Sequence, residues 1–535
     1  MTLDIVFFSS KQLSIATNKH KFTQVLKFVN DFFANAEGSL DGTAEPYCMA
    51  EEKKAGHAAH TQDAQERGLP GTMLRPIKVT MMGAGSGFTP RLTSDILNIP
   101  GNLGGTIALV DIDASRLHTM VGLLTRLVSE KGLSEKWTII GSTDRREVLS
   151  GSDYLTNCIE VSGLGCVRHD NDIPAKYGVN QCIGDTIGPG GLFKSLRTIP
   201  VWLDVLRDAQ ELCPDVLVLN YTNPMSMMCL AAARVATLPI VGLCHSVQGT
   251  SHLLAGYAGV SYAEMDWECA GINHLAWFTR LNHDGKSLYD TVLYEKFTKE
   301  LALTVTEGLP DNPENLTYGP KDLPSHHKDV VRKDMCVHFG AFITESSGHL
   351  SEYLPYYRKR KDLLHQYSRF GYDGGTSFYA DNWPSWRANA DAEREAMVRG
   401  EKPVGWERSW EYASWIIEAR EKDTPFRIHG NVPNTGGLIE NLPHDGIVEV
   451  SCMIDRNGIN PTRYGKLPSQ MAGICQMNMA MYELGAQAAV EKSIEKAIHA
   501  LMLDPLTMAC CSPAEIKAMA LEMFEAEKEF LPGYK

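Results

Sequence analysis

The feature that most constrains this chain is an ordered pattern between residues 77 and 129. The apolar run IKVTMM (77–82) has the length of a buried strand, GAGSG (83–87) follows it directly, and 90–97 reads as the opening turns of a helix. A second apolar run, TIALV (106–110), closes on Asp111, and 114–129 reads as another helix. Strand, helix and strand in this order make a βαβ unit, whose parallel strands imply a doubly wound α/β sheet. Strand-like runs at 153–158, 216–219 and 240–244 continue the alternation.

The sheet expected is Rossmann-like, over residues 73–268. Past about residue 270 the alternation loosens into scattered strands and longer helices, strongest over 471–502, so 269–535 is expected to be a mixed α+β domain for substrate and oligomer contacts. Residues 1–72 differ. A stretch at 22–33 has the pattern of one amphipathic helix, and 35–72 is polar with little to bury, which predicts a poorly ordered or weakly packed extension.

The glycine loop has a chemical rationale. Gly83 permits a tight turn out of the strand, and Gly85 lets a pyrophosphate approach the backbone N–H groups at the helix N-terminus, with Ser86 beside it. Asp111 ends the second strand where an acid can accept the ribose hydroxyls, with Asp113 two residues on. An anion there would repel a 2′-phosphate, which favours NAD over NADP. Phe88 departs from the pattern, standing where a small residue usually lets helix and strand pack closely.

Charge and cysteine usage exclude several partners. Fifty-one Lys and Arg stand against 65 Asp and Glu, a net charge of −14, with no basic block, so nucleic acid is not an expected partner. No apolar run is long enough to span a bilayer and the early one at 5–8 lacks a basic lead-in; no membrane association and a cytoplasmic location are expected. The 13 cysteines include no Cys-x-x-Cys pair, which disfavours a common structural zinc site.

A second set of polar residues follows later strands. NYTNP (220–224) places amides at one strand tip, CHSVQGT (244–250) a thiol and an imidazole at the next, and CAGINH (269–274) another amide and imidazole. Ligands bind beyond the carboxyl ends of strands in open α/β sheets. A Cys and a His together suit a borderline divalent ion with positions left open for substrate oxygens.

These segments resemble glycoside hydrolase family 4, the NAD- and Mn²⁺-dependent glycosidases, and within it the melibiase-type α-galactosidases. The resemblance runs in order through GAGSGF (83–88), LVDID (109–113), GDTIGPGG (184–191), LNYTNPMSM (219–227), GLCHSVQGT (242–250), CAGINHLAW (269–277) and TESSGHLSEYLP (344–355), then ENLP (440–443), VEVSCMIDRNGINP (448–461) and LPSQMA (467–472). The tetrad CHSV (244–247) is similar to the α-galactosidase variant.

The resemblance implies an α-galactoside of the melibiose or raffinose type as substrate, cleaved by oxidation at C3, removal of the C2 proton, elimination of the aglycone, addition of water and return of the hydride. It implies Cys244 and His274 as metal ligands, Asn223 and Asp185 as substrate contacts, and His245 as proton donor. Relatives place the C2 base in the stretch matching 340–357, where an ungapped match puts Ser346; Glu345 is the leading candidate here and Tyr353 the second. A homodimer or homotetramer is also implied. Alternatives remain open: a glucuronidase or glucosidase of the same family, for which Arg91, Lys194 and Arg197 could receive a sugar carboxylate, a 2-hydroxyacid dehydrogenase sharing the βαβ core, and a non-catalytic NAD-binding protein.

Overall fold

The computed structural model describes residues 67–308, 310, 322–368 and 370–535. The amphipathic stretch at 22–33, and most of the expected extension, lie outside the described residues. Residues 67–73 are anchored at two points: Leu69 and Met73 are buried, Leu69 N donates to Glu418 Oε1 at 2.9 Å, and Lys422 Nζ donates to the Leu69 carbonyl at 3.0 Å.

The sheet begins with six parallel strands, β1 (Ile77–Met82), β2 (Gly105–Val110), β3 (Trp137–Ser142), β4 (Tyr154–Asn157), β5 (Leu217–Asn220) and β6 (Ile240–Gly242). They lie in the order β3-β2-β1-β4-β5-β6. This is the dinucleotide-binding order, so the expected Rossmann-like α/β class holds. Strands β4 and β5 are buried throughout, as strands covered by helices on both faces must be, which is why their sequences read as continuous apolar runs.

The sheet does not stop at β6. It continues through β7 (Met265–Ile272), β8 (Leu275–His283), β9 (Lys286–Ser287), β10 (Phe342–Ile343), β11 (Phe426–Pro433), β12 (Ile447–Asp455) and β13 (Gly458–Pro461). These strands pair antiparallel, in the order β6-β11-β12-β7-β8-β10, with β9 on β8 and β13 on β12. The joint is narrow: Gly242 of β6 faces Asn431 of β11, and Glu449 of β12 faces Gly271 of β7, each a single residue pair. Strand β7 runs through residues 268 and 269.

The helical stretch expected at 471–502 is two helices, Ser469–Glu491 and Ile494–Leu503. Lys492 between them takes a left-handed φ of 53°, and the Ser493 side chain caps the second helix by accepting from Lys496 N. Apolar periodicity continues across the break, so the sequence reads as one helix.

Candidate active site

One short stretch builds the cofactor end. Gly83 has a φ of 72°, and a Cβ there would stand 2.5 Å from the Cys158 carbonyl oxygen, so only glycine fits. Gly85 N donates to Asp111 Oδ2 at 2.7 Å, and Asp113 N donates to Asp111 Oδ1 at 2.9 Å. Asp111 therefore shapes the loop and still has lone pairs to spare. Asp113 caps the helix Ala114–Glu130, its Oδ1 accepting from Ser115 N and Arg116 N. Ser86 Oγ accepts from Phe88 N at 3.2 Å.

The helix Phe88–Leu97 has no acidic residue in its first turn, which leaves its positive dipole end for a pyrophosphate, while Ser86 takes two of its N–H groups, Phe88 N through Oγ and Thr89 N through the carbonyl. Phe88 opens that helix and its ring turns outward, 5.5 Å from the Tyr221 ring, so the fingerprint departure does not disturb helix–strand packing. Arg394, on the helix Phe378–Val398, donates to the Gly85 carbonyl at 3.2 Å and pairs with Asp391 at 2.9 Å, a contact that local sequence could not reveal.

The other end is assembled from distant segments. Cys244 and His245 follow β6, His274 sits in the turn between β7 and β8, and Glu345 follows β10. Cys244 Sγ, a His274 ring nitrogen and a Glu345 carboxylate oxygen all lie within 4.8 Å of one another. His274 Nε2 is 3.5 Å from Glu345 Oε2, and the buried Tyr353 hydroxyl is 3.2 Å from His274 Nδ1. His274 and Glu345 both hold left-handed backbones, with φ of 62° and 71°. Such conformations cost about 1–3 kcal/mol each in non-glycine residues and concentrate at functional sites.

The electrostatics fit a cation. Burial pushes the Cys244 thiol up, and the Glu345 and Glu449 carboxyls push it further. Burial takes His274 down to about 4, with the neighbouring His349 acting in the same direction, so it is a neutral imidazole. Burial would raise Glu345, but His274, His349 and the Tyr372 hydroxyl that donates to it hold it well below the usual carboxylate range. A thiol, a neutral imidazole and a carboxylate converging at this spacing are the donor set of a borderline divalent ion, and its charge would offset the penalty on the thiolate.

Around this cluster the remaining groups form a chain of charges. Asp185 lies 3.3 Å from His349 Nε2 and 3.6 Å from Lys194 Nζ, and Lys194 also pairs with Glu160 at 2.9 Å. Burial would lower His349, but Asp185 and Glu345, the latter 3.7 Å away, outweigh it and raise its pKa to about 10. Burial would likewise raise Asp185, yet Lys194, His349 and Thr186 hold it well below the carboxylate range. Asn223 is half-buried beyond β5. Ser346 caps a short helix by accepting from His349 N at 3.2 Å.

His245 is exposed, and its Nδ1 lies 3.3 Å from Glu411 Oε1, whose hydrogen bond raises the imidazole pKa. Glu411, His349, Tyr372 and Glu449 were not singled out from sequence. His349 and Glu449 lie inside quoted motifs, whereas Glu411 and Tyr372 come from stretches with no motif. Glu449 is fully buried beside Asn431, and burial raises its carboxyl to about 8.

Residues 78–260 match the family 4 glycosyl hydrolases, and residues 269–507 match the family 4 glycosyl hydrolase C-terminal domain. An α-galactosidase of Rhizobium meliloti is 36% identical over 464 residues, covering 85% of this chain and 89% of its own. The chain belongs to glycosyl hydrolase family 4. An α-galactosidase of Bacillus subtilis is 37% identical, with 86% of this chain and 100% of the relative covered. The crystal structure of a 6-phospho-α-glucosidase from gut microorganisms in complex with NAD and Mn²⁺ has the same fold, with a TM-score of 0.67 at 22% identity over 86% of this chain and 100% of that one. Among the described residues no helix is long and apolar enough to cross a membrane.

Proposed function

We propose that this chain is an α-galactosidase that works with NAD and a divalent ion such as Mn²⁺. Family membership and the two α-galactosidase relatives support the activity, and the observation that carries the chemistry is the convergence of Cys244, His274 and Glu345 at the end of a dinucleotide-binding sheet. Cys244, His274 and Glu345 would hold the ion, while Gly83, Gly85, Ser86, Asp111 and Asp113 would frame the dinucleotide. When bound, the dinucleotide accepts and returns a hydride, and the ion acts as a Lewis acid toward sugar oxygens.

The chain's own groups supply the rest. Tyr353 fixes the His274 ring through Nδ1. Asp185 and Asn223 bind sugar hydroxyls, and Lys194 and His349 keep the Asp185 carboxylate ionised. Tyr372 donates to Glu345 Oε1 and orients that carboxylate. His245, oriented by Glu411 at Nδ1, gives a proton from Nε2 to the departing glycosidic oxygen. Residues 73–268 supply the cofactor site with Asp185, Asn223, Cys244 and His245, and 269–535 supply His274, Glu345 and the oligomer contacts, in a cytoplasmic homodimer or homotetramer.

The charge balance supports a neutral galactoside over a uronide. Lys194 is offset by Glu160 and Asp185, and Arg197 is buried between Asp170 and Glu527, so neither is left to receive a C6 carboxylate. Arg91 is partly exposed and lies 3.9 Å from Asp95. The test is p-nitrophenol release from matched α-galactoside, α-glucoside and α-glucuronide substrates, omitting NAD, Mn²⁺ and thiol reductant in turn. The expected result is α-galactoside cleavage that needs both cofactors and leaves no net NADH; cleavage of the glucuronide alone would overturn the sugar assignment, and NADH accumulation with a hydroxy acid would overturn the glycosidase.

A further inference from the structure

We propose that the helix Phe378–Val398 is a cofactor clamp, whose Arg394 and Arg387, together with Arg116, supply positive charge for the pyrophosphate of the bound dinucleotide. The assignment rests on the NAD reading given under the proposed function. In the strand order β3-β2-β1-β4-β5-β6 a dinucleotide crevice opens where the order reverses, between β1 and β4 and beyond their carboxyl ends. Its walls are close, since the Cys158 carbonyl after β4 stands against Gly83 after β1.

The helix reaches both walls. A Cβ at Gly163, past β4, would stand 3.0 Å from Arg387 Nη1. A Cβ at Gly87, past β1, would stand 3.7 Å from Arg394 Nη2, while Arg394 Nη1 donates to the Gly85 carbonyl at 3.2 Å. Positions 387, 391 and 394 are spaced by four and then three residues, so Arg387, Asp391 and Arg394 share one helix face. Arg116 comes from the helix after Asp113, and its Nη1 would be 3.4 Å from a Cβ at Gly85.

This face carries more positive charge than its own ion pairs use. Asp391 Oδ1 accepts from Arg116 Nη2 at 2.8 Å and from Arg394 Nη1 at 2.9 Å, so one carboxylate oxygen serves two guanidiniums. Arg387 has no carboxylate within ion-pair reach among the described residues. The Asp111 oxygens are turned to Gly85 N and Asp113 N instead. Burial lowers the Arg394 pKa from its ordinary value, and Arg116 and Arg387 act in the same direction against Asp391. An anion with two phosphates relieves that crowding, and guanidinium forks match phosphate oxygens. A structural pin does not account for the arrangement, because the tie to the Gly85 carbonyl needs one N–H and no charge. Nor is the helix seated by apolar packing: of its 21 residues only Phe378 and Ala380 are buried.

The test follows NAD binding to the full-length chain by fluorescence titration at several salt concentrations, with adenosine as a probe that lacks phosphate. Arg394→Gln keeps a donor for the Gly85 carbonyl and removes the charge; it should weaken NAD binding by roughly 10- to 100-fold. Arg387→Gln should weaken it by about two- to fivefold. Both should flatten the salt dependence of NAD binding, leave adenosine affinity unchanged and spare the sulfur-to-metal charge-transfer band that added Co²⁺ gives at Cys244. The proposal is overturned if neither variant weakens NAD binding, or if adenosine affinity falls in step, which would mean a distorted loop. It is also overturned if the parent chain prefers NADP to NAD, which would assign the charge to a 2′-phosphate. A parent chain that binds no NAD overturns the cofactor reading and this assignment together.

Discussion

The two ends of the candidate active site are built in opposite ways. The cofactor end comes mainly from one run of residues, 83 to 113: Gly85 N and Asp113 N donate to Asp111, Asp113 caps the helix that follows, and Arg394 reaches in from afar, to the Gly85 carbonyl. The candidate sugar and metal end gathers side chains from residues 185, 244, 274, 345 and 349, all buried or half-buried, with opposing charges and two strained backbones. The first end is stable as a piece of backbone. The second gathers ionisable groups where burial penalises them, and such placement is characteristic of a site kept for chemistry.

That contrast predicts separable failures. The largest effect is expected from Cys244→Ala: a loss of at least about a hundredfold in kcat on p-nitrophenyl α-galactoside, with NAD affinity by fluorescence titration unchanged. A parallel loss of NAD affinity would show the two ends are one unit. Tyr353→Phe removes the partner of His274 Nδ1 and should weaken Mn²⁺ binding by about 10- to 100-fold, read by metal titration, again sparing NAD.

Gly83→Ala attacks the opposite end. The left-handed φ and the close Cys158 carbonyl should weaken NAD binding by about tenfold, from a backbone cost of roughly 1–2 kcal/mol, while Co²⁺ still gives its sulfur band. Failure of both readouts would erase the distinction between the ends.

The smallest expected effect is on stability alone. Asp504 is buried, accepting from Gly188 N and Thr507 N, and burial raises its carboxyl to about 6 from an ordinary 3.8. Between those values the folded chain keeps the proton while the unfolded chain has lost it, so folding takes up a proton and stability falls as pH rises through that window. Asp504→Asn keeps the helix cap and should flatten the Tm slope between about pH 4 and 6; an unchanged slope would assign it to another group, such as Asp95, also raised to about 6 by burial.

The same contrast explains what sequence reading could reach. Strand β1 and the helix start at Ala114 fall where the pattern puts them, because a βαβ unit is specified by contiguous periodicity. Cys244, His274 and Asp185 could be named from motifs and resemblance, but their spacing depends on pairing between strands far apart in the chain. Glu411 had no signal, since a carboxylate 166 residues after its histidine partner reads as any solvated acid. The left-handed conformations at His274 and Glu345 were equally silent, because neither residue type announces a positive φ. The continuation of the sheet past β6 was missed because its joint is one residue pair wide on each side, too short to leave a pattern.

That narrow joint also bears on how the chain folds. Strands β1 to β6 lie within one continuous stretch, whereas Asn431 must find the Gly242 carbonyl across 189 residues, a search that is entropically slow. Cys244 lies just past β6 and His274 just past β7, on the two sides of that seam. A chain whose seam is still open does not hold the two together, so metal loading during refolding, read by a thiolate-to-Co²⁺ charge-transfer band, should lag the recovery of helical signal.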